Sequence, residues 1–212
     1  MSTATLILGQ SGTGKSTSLR NLDASKTLLI QAIKKPLPFR SKEWIPCTKE
    51  NPQGSIIATD KPQTILSAMS RTDKEIIVID DFQYIMANEY MRRSQETGFN
   101  KFTEIGKNAW DIFTLASQLA DNKRVYILSH TQENDNGKTS IKTIGKMLDE
   151  KITLEGMVTI CLKTAIINEQ YVFCTKNNGQ DTTKAPMGLF PSDHVENDLN
   201  AVDTAICEYW SI

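Results

Sequence analysis

Gly9-Gln10-Ser11-Gly12-Thr13-Gly14-Lys15-Ser16 is the stretch that decides how the rest of this 212-residue chain reads. It follows the apolar run Thr5-Leu6-Ile7-Leu8 and precedes a segment whose Leu19 and Leu22 suit one face of a helix. The order strand, glycine-rich turn, helix gives the turn a chemistry. Glycines allow backbone angles at which successive N–H groups face inward around an anion. A helix opening at the end of the turn aims its positive pole at the same point. Lys15 adds a cation on a long stem, and the Ser16 hydroxyl suits a hard divalent ion. The pattern GxxxxGK[ST], running on into Thr17, therefore predicts a loop that wraps phosphates.

A phosphate site that also holds Mg²⁺ needs a carboxylate at the end of a buried strand. The run Ile76-Ile77-Val78-Ile79 supplies Asp80, with Asp81 beside it. The expected cofactors are ATP and Mg²⁺. The phosphates go to Gly9, Gln10, Ser11, Gly12, Thr13, Gly14, Lys15, Ser16 and Thr17, and the metal to Ser16 and, through water, Asp80. Three further runs read as strands: Thr27-Leu28-Leu29-Ile30, Ile56-Ile57-Ala58 and Val125-Tyr126-Ile127-Leu128. Between them, Ile65, Leu66 and Met69 mark one helix. A long helix carries Phe102, Ile105, Ala109, Ile112, Ala116 and Leu119 on one face. The pattern then changes. Met157 to Lys163 and Gln170 to Thr175 read as a hairpin turned at Asn168-Glu169, and a last helix, capped near Asn197, buries Leu199, Val202, Ile206 and Tyr209. This predicts a single α/β domain over residues 1–212. Its central sheet is mainly parallel, with helices on both faces and a C-terminal β-hairpin.

Bulk properties exclude some classes of partner. A net charge of −1 creates no global field toward nucleic acid or membrane, so any DNA contact must come from a local patch. Cys47, Cys161, Cys174 and Cys207 form no CxxC pair, which argues for free thiols rather than zinc ligands or a redox dithiol. No apolar run reaches the ~20 residues of a membrane span, and no basic segment precedes the first apolar stretch. The expected setting is the cytoplasm, of a host cell if the chain is phage-encoded.

Later residues carry a resemblance. Leu128-Ser129-His130 resembles the strand end at which RecA-like helicases and recombinases place a polar γ-phosphate sensor, between the phosphate-loop strand and the metal-carboxylate strand. Tyr171-Val172-Phe173-Cys174-Thr175-Lys176-Asn177-Asn178-Gly179 resembles the strand and loop that carry a cationic finger for a neighbouring subunit. With Lys35-Pro36-Leu37-Pro38-Phe39, Gly145-Lys146-Met147-Leu148 and Asn197-Asp198-Leu199, nearly the whole chain is similar to short phage-encoded RecA-core P-loop ATPases, among them Sak-type single-strand annealing proteins. The resemblance implies a RecA-like core, head-to-tail assembly into a ring or filament, and ATP hydrolysis linked to DNA. It implies catalytic roles for Lys15, Asp81, His130 and Lys176, with Lys184 the next candidate for the finger. One departure stands out. The family's glutamate after the second strand is replaced by Gln31-Ala32-Ile33, so the base falls to Asp81 or to Glu43.

RecA-like recombinases grip single-stranded DNA with two loops. Met91 to Lys101, with Arg92, Arg93 and Phe99, fits the first place. Thr131 to Glu155 fits the second; its Lys138, Lys142, Lys146 and Lys151 are offset by Glu133, Asp135, Asp149, Glu150 and Glu155. Two other functions compete with the DNA-dependent ATPase. One is a nucleotide-gated loader that turns over slowly. The other is a small-molecule kinase, against which Arg20, Arg40, Arg71, Arg92 and Arg93 form no arginine-rich lid.

Overall fold

Four strands are buried along most or all of their length, and their pairing sets the architecture. In the computed structural model, which describes residues 1–134 and 137–212, β1 (Thr3–Leu8) lies parallel between β5 (Arg124–Ser129) and β8 (Ile160–Ile167). On the far side of β5 come β4 (Ile76–Asp80), β2 (Thr27–Gln31) and the short β3 (Ile56–Ala58), all parallel. Beyond β8 lie β9 (Gln170–Cys174) and β10 (His194–Glu196), each antiparallel to its neighbour. The eight-stranded sheet is thus α/β and mostly parallel. Asn168 and Glu169 both have positive φ, as a two-residue hairpin turn requires, and they join β8 to β9 as the sequence predicts.

Every residue of β2, β4 and β5 is buried, because helices cover both faces. One face takes Leu6, Leu28, Ile30, Ile77, Ile79 and Ile127. It packs under α1 (Pro62–Arg71), α2 (Gln83–Arg92) and α3 (Asn100–Gln118), through Ile65 and Met69, Ile85 and Met86, and Ile105, Ala109, Ile112 and Phe113. The other face takes Ile7, Leu29, Val78, Tyr126, Leu128 and Phe173, under Leu19 and Leu22 and under α4 (Leu199–Trp210). Alternate residues of each strand serve opposite faces, which fixes the register. α4 is bolted down by a buried network: Asp203 accepts Arg124 Nε at 2.9 Å, Arg124 Nη2 at 3.0 Å and the Tyr126 hydroxyl at 2.5 Å.

Several expectations need correction. The segment after the glycine-rich loop is a 3-10 helix of six residues, Ser16–Asn21, not a full α-helix. The cap of α4 falls near Asn197 as expected, on Asp198, whose side chain accepts the Asn200 N–H, but Tyr209 at the far end is exposed rather than buried. The segment read as a second open loop contains a hairpin of β6 (Thr131–Glu133) and β7 (Thr139–Ile141). It continues into a π-type turn over Met147–Lys151 that packs on α3. Of the acids counted there, Asp135 and the Asp149 side chain lie outside what is described.

Candidate phosphate and metal site

The carboxyl ends of β1, β4, β5 and β2 open on a cavity of about 1220 Å³, lined among others by Lys15, Ser16, Lys35, Asp81 and His130. Parallel sheets place ligands at this edge, where loops rather than strands meet the solvent.

Three anchors hold the glycine-rich loop. Gly9 continues β1, its N–H bonding to Ser129 O at 3.2 Å. Thr164 of β8 reaches under the loop: its hydroxyl donates to Leu8 O at 3.2 Å and shares a 2.6 Å hydrogen bond with Thr13 Oγ1. Lys15 Nζ folds back to donate to Gly9 O at 2.7 Å and Gln10 O at 2.8 Å. Gly14, with φ +95°, lets Asn197 come so close that a Cβ there would lie 2.9 Å from Asn197 Oδ1. A Cβ on Gly9 would lie 1.8 Å from Thr164 Oγ1. Gly9→Ala should therefore displace the loop and cost about 1–3 kcal/mol, as overpacking does. Removing the obstructing hydroxyl with Thr164→Ala should return part of that loss, which paired urea unfolding curves would read. Equal stability of Gly9→Ala and wild type would refute the contact.

Behind the loop, Ser16 Oγ donates to both oxygens of Asp80, at 2.9 and 3.1 Å. Asp80 is buried, and burial raises its pKa, with the neighbouring Asp81 charge adding to the rise. A hydroxyl and a carboxylate in contact at the loop's mouth form the oxygen-only donor pair that Mg²⁺ prefers. Among the described residues no group of three or more His, Cys, Asp or Glu could form a closed metal cage.

Asp81 has φ +62°, and its carbonyl accepts the Tyr84 N–H at 2.9 Å, so it makes the corner between β4 and α2. A left-handed aspartate at the cavity wall is the kind of local strain that clusters at functional sites. Its carboxylate is ion-paired with Lys35, and His130 Nε2 stands 3.6 Å from the other oxygen. Burial would raise the Asp81 pKa, but His130 and Lys35 together bring it below the usual value. A carboxylate so held is a weak base.

The structure thus brings Lys15, Ser16, Asp80, Asp81 and His130 together, and leaves other candidates outside. Glu43 is exposed and does not line the cavity. Lys176 is exposed, 3.5 Å from Asp193, and also lies off the lining, while Lys184 pairs through its backbone with Cys161. The first loop's cations are engaged internally. Arg92 pairs with Asp60 at 2.6 Å, Arg93 with Glu96, Glu104 and Glu89 at 2.7, 2.8 and 3.2 Å, and Lys101 Nζ caps Glu96 O at 2.7 Å. That segment offers Phe99 and Met91, 86% and 66% exposed, instead.

Three contributors have no site role in the sequence reading, where Lys35 and Asn197 stand only among the residues of the resemblance or as a helix cap. Lys35 is one, and Thr164 another. The third is Asn197, buried on the cavity wall with Nδ2 unpartnered among the described residues. Arg20 clamps the same wall, donating to Glu196 Oε1 at 3.0 Å. The chain matches no model of a known protein family and no curated protein. Among the described residues no helix is long and apolar enough to cross a membrane.

Proposed function

We propose that the chain is a RecA-like P-loop ATPase that binds ATP with Mg²⁺ in this cavity and acts on single-stranded DNA, in phage recombination or replication. The observation that carries the reading is the convergence of Lys15, Ser16, Asp80, Asp81 and His130 at the carboxyl ends of β1, β4 and β5. In this reading the loop's N–H groups and Lys15 hold the β- and γ-phosphates. Ser16 and Asp80 hold the metal, which when bound neutralises phosphate charge. His130, one residue beyond β5, faces the terminal phosphate, and Asp81 orients the attacking water once its ion pair is released. Asn197 Nδ2 is a donor for the nucleotide.

The DNA part rests on a surface away from the cavity. Lys138, Lys142, Lys146 and Lys151 are exposed, and none is ion-paired among the described residues. Gly145 lies against Phe102, so this segment adjoins the start of α3, beside the exposed Phe99. Cations beside an aromatic ring suit a single strand. Head-to-tail assembly, with Lys176 reaching a neighbour's nucleotide, belongs to the same proposal.

The Lys35–Asp81 pair and the absent glutamate favour a second reading, a nucleotide-gated loader with little turnover. One experiment separates the two: phosphate release from ATP with Mg²⁺, with and without single-stranded DNA. The ATPase reading expects Mg²⁺-dependent release that DNA accelerates. Tight ATP binding without release selects the loader, and absence of ATP binding overturns both.

A further inference from the structure

We propose that Lys35 is the residue by which the cavity distinguishes a nucleoside triphosphate from a diphosphate, exchanging its partner Asp81 for the terminal phosphate. The inference deepens the nucleotide reading above and rests on it.

Position comes first. Lys35 lies on the loop after β2, where Gln31, the last residue of that strand, is in register with Asp80. The buried Gln31 amide donates to Lys35 O at 3.1 Å, and Pro36 follows directly. A proline biases the residue before it toward extended backbone, which limits how the chain can turn at Lys35. Its ammonium reaches Asp81 Oδ2, and Lys35, Pro36 and Asp81 all line the cavity.

Charge comes next. Lys15 approaches from the glycine-rich loop, and Ser16 and Asp80 take the metal side. Lys35 is the other lysine on the cavity lining, and it stands on the Asp81 side. A terminal phosphate brought between Lys15 and Asp81 therefore meets a second cation.

The exchange is also feasible. The Lys35 side chain is 40% exposed, and an ion pair with one partner so open to water contributes little net stability. Asp81 is nearly buried, so it needs a remaining partner, and His130 Nε2 already stands 3.6 Å from its other oxygen. The same exchange frees Asp81 to orient water only when a third phosphate is present.

The test compares two ligands on three folded proteins. Affinities for ADP and for a non-hydrolysable ATP analogue, each with Mg²⁺, are measured calorimetrically for wild type, Lys35→Met and Lys35→Arg. Loss of one charge-assisted phosphate contact predicts a fall of about 10–100-fold for the triphosphate in Lys35→Met. ADP affinity should change less than about threefold, and Lys35→Arg should restore much of the preference. Equal loss for both ligands, or no loss for either, overturns the proposal. If wild type binds neither nucleotide, the nucleotide reading itself has failed, and that outcome is visible before any variant is made.

Discussion

Lys15→Ala should fold normally yet lose ATP turnover by about 10²–10³-fold or more, the scale of removing one preorganised charge contact at a reacting group. Lys15 is buried, and its ammonium donates to the Gly9 and Gln10 carbonyls inside the loop, a position that Lys35, paired with Asp81, does not occupy. The same residue predicts a pH signature. Burial lowers its pKa from 10.5 to about 8; Asp80 and Asp81 oppose the fall and Lys35 adds to it. Phosphate in the loop favours the charged form, so binding takes up a proton when Lys15 starts neutral. At pH 8 the uptake approaches about half a proton, and above that affinity falls by up to about one log unit per pH unit. Folding stability moves the other way. Between about 8 and 10.5 the unfolded chain binds the extra proton, so stability rises with pH across that window. Calorimetry in buffers of different ionisation heat reads the uptake. Wild-type turnover in folded Lys15→Ala would remove Lys15 from the site; pH-independent binding between pH 7 and 9.5 would mean that the unliganded lysine stays charged across that range.

The largest loss of stability should come from a residue far from the phosphates. Asp203→Ala strips the buried Arg124 guanidinium and the Tyr126 hydroxyl of their shared partner. Breaking a buried pair from one side costs about 3–5 kcal/mol, because the remaining charge stays desolvated. For a chain this long that lowers Tm by about 10 °C. Replacing all three polar groups together (Asp203→Leu, Arg124→Met, Tyr126→Phe) should recover most of the loss, since the penalty lies in the orphaned charge. A shift below about 1 kcal/mol in Asp203→Ala would mean that water reaches the cluster.

Local signals carried much of the fold. The apolar runs of β1, β2, β4 and β5, the Asn168-Glu169 turn and the stripe of α3 all stand in the sequence as periodicity or turn chemistry, and each is found in place. Elements without such a signal were missed. In α2 the buried Ile85 and Met86 are adjacent and form no stripe, and β6 and β7 are polar strands of three residues. At the site, motif spacing reached Lys15, Ser16 and Asp80. Thr164, Asn197 and Lys35 join only through tertiary contact, from β8, the residue after β10 and the loop after β2. The cations of the first loop misled for the converse reason. A sequence counts Arg92 and Arg93 but cannot say that Asp60, Glu89, Glu96 and Glu104 already hold them.

His130 belongs to two structures at once. β5 ends at Ser129 and β6 begins at Thr131, and the Lys142 N–H just past β7 bonds to His130 O at 2.8 Å. The imidazole faces Asp81 while its own peptide is part of the lysine-bearing hairpin. A single residue thus belongs both to the cavity wall and to the hairpin. Thermodynamic linkage then imposes a symmetry on whatever binds at the two places. If the proposed nucleotide and DNA bind at these two places, the factor by which the first tightens or loosens the second is the factor by which the second alters the affinity of the first in return.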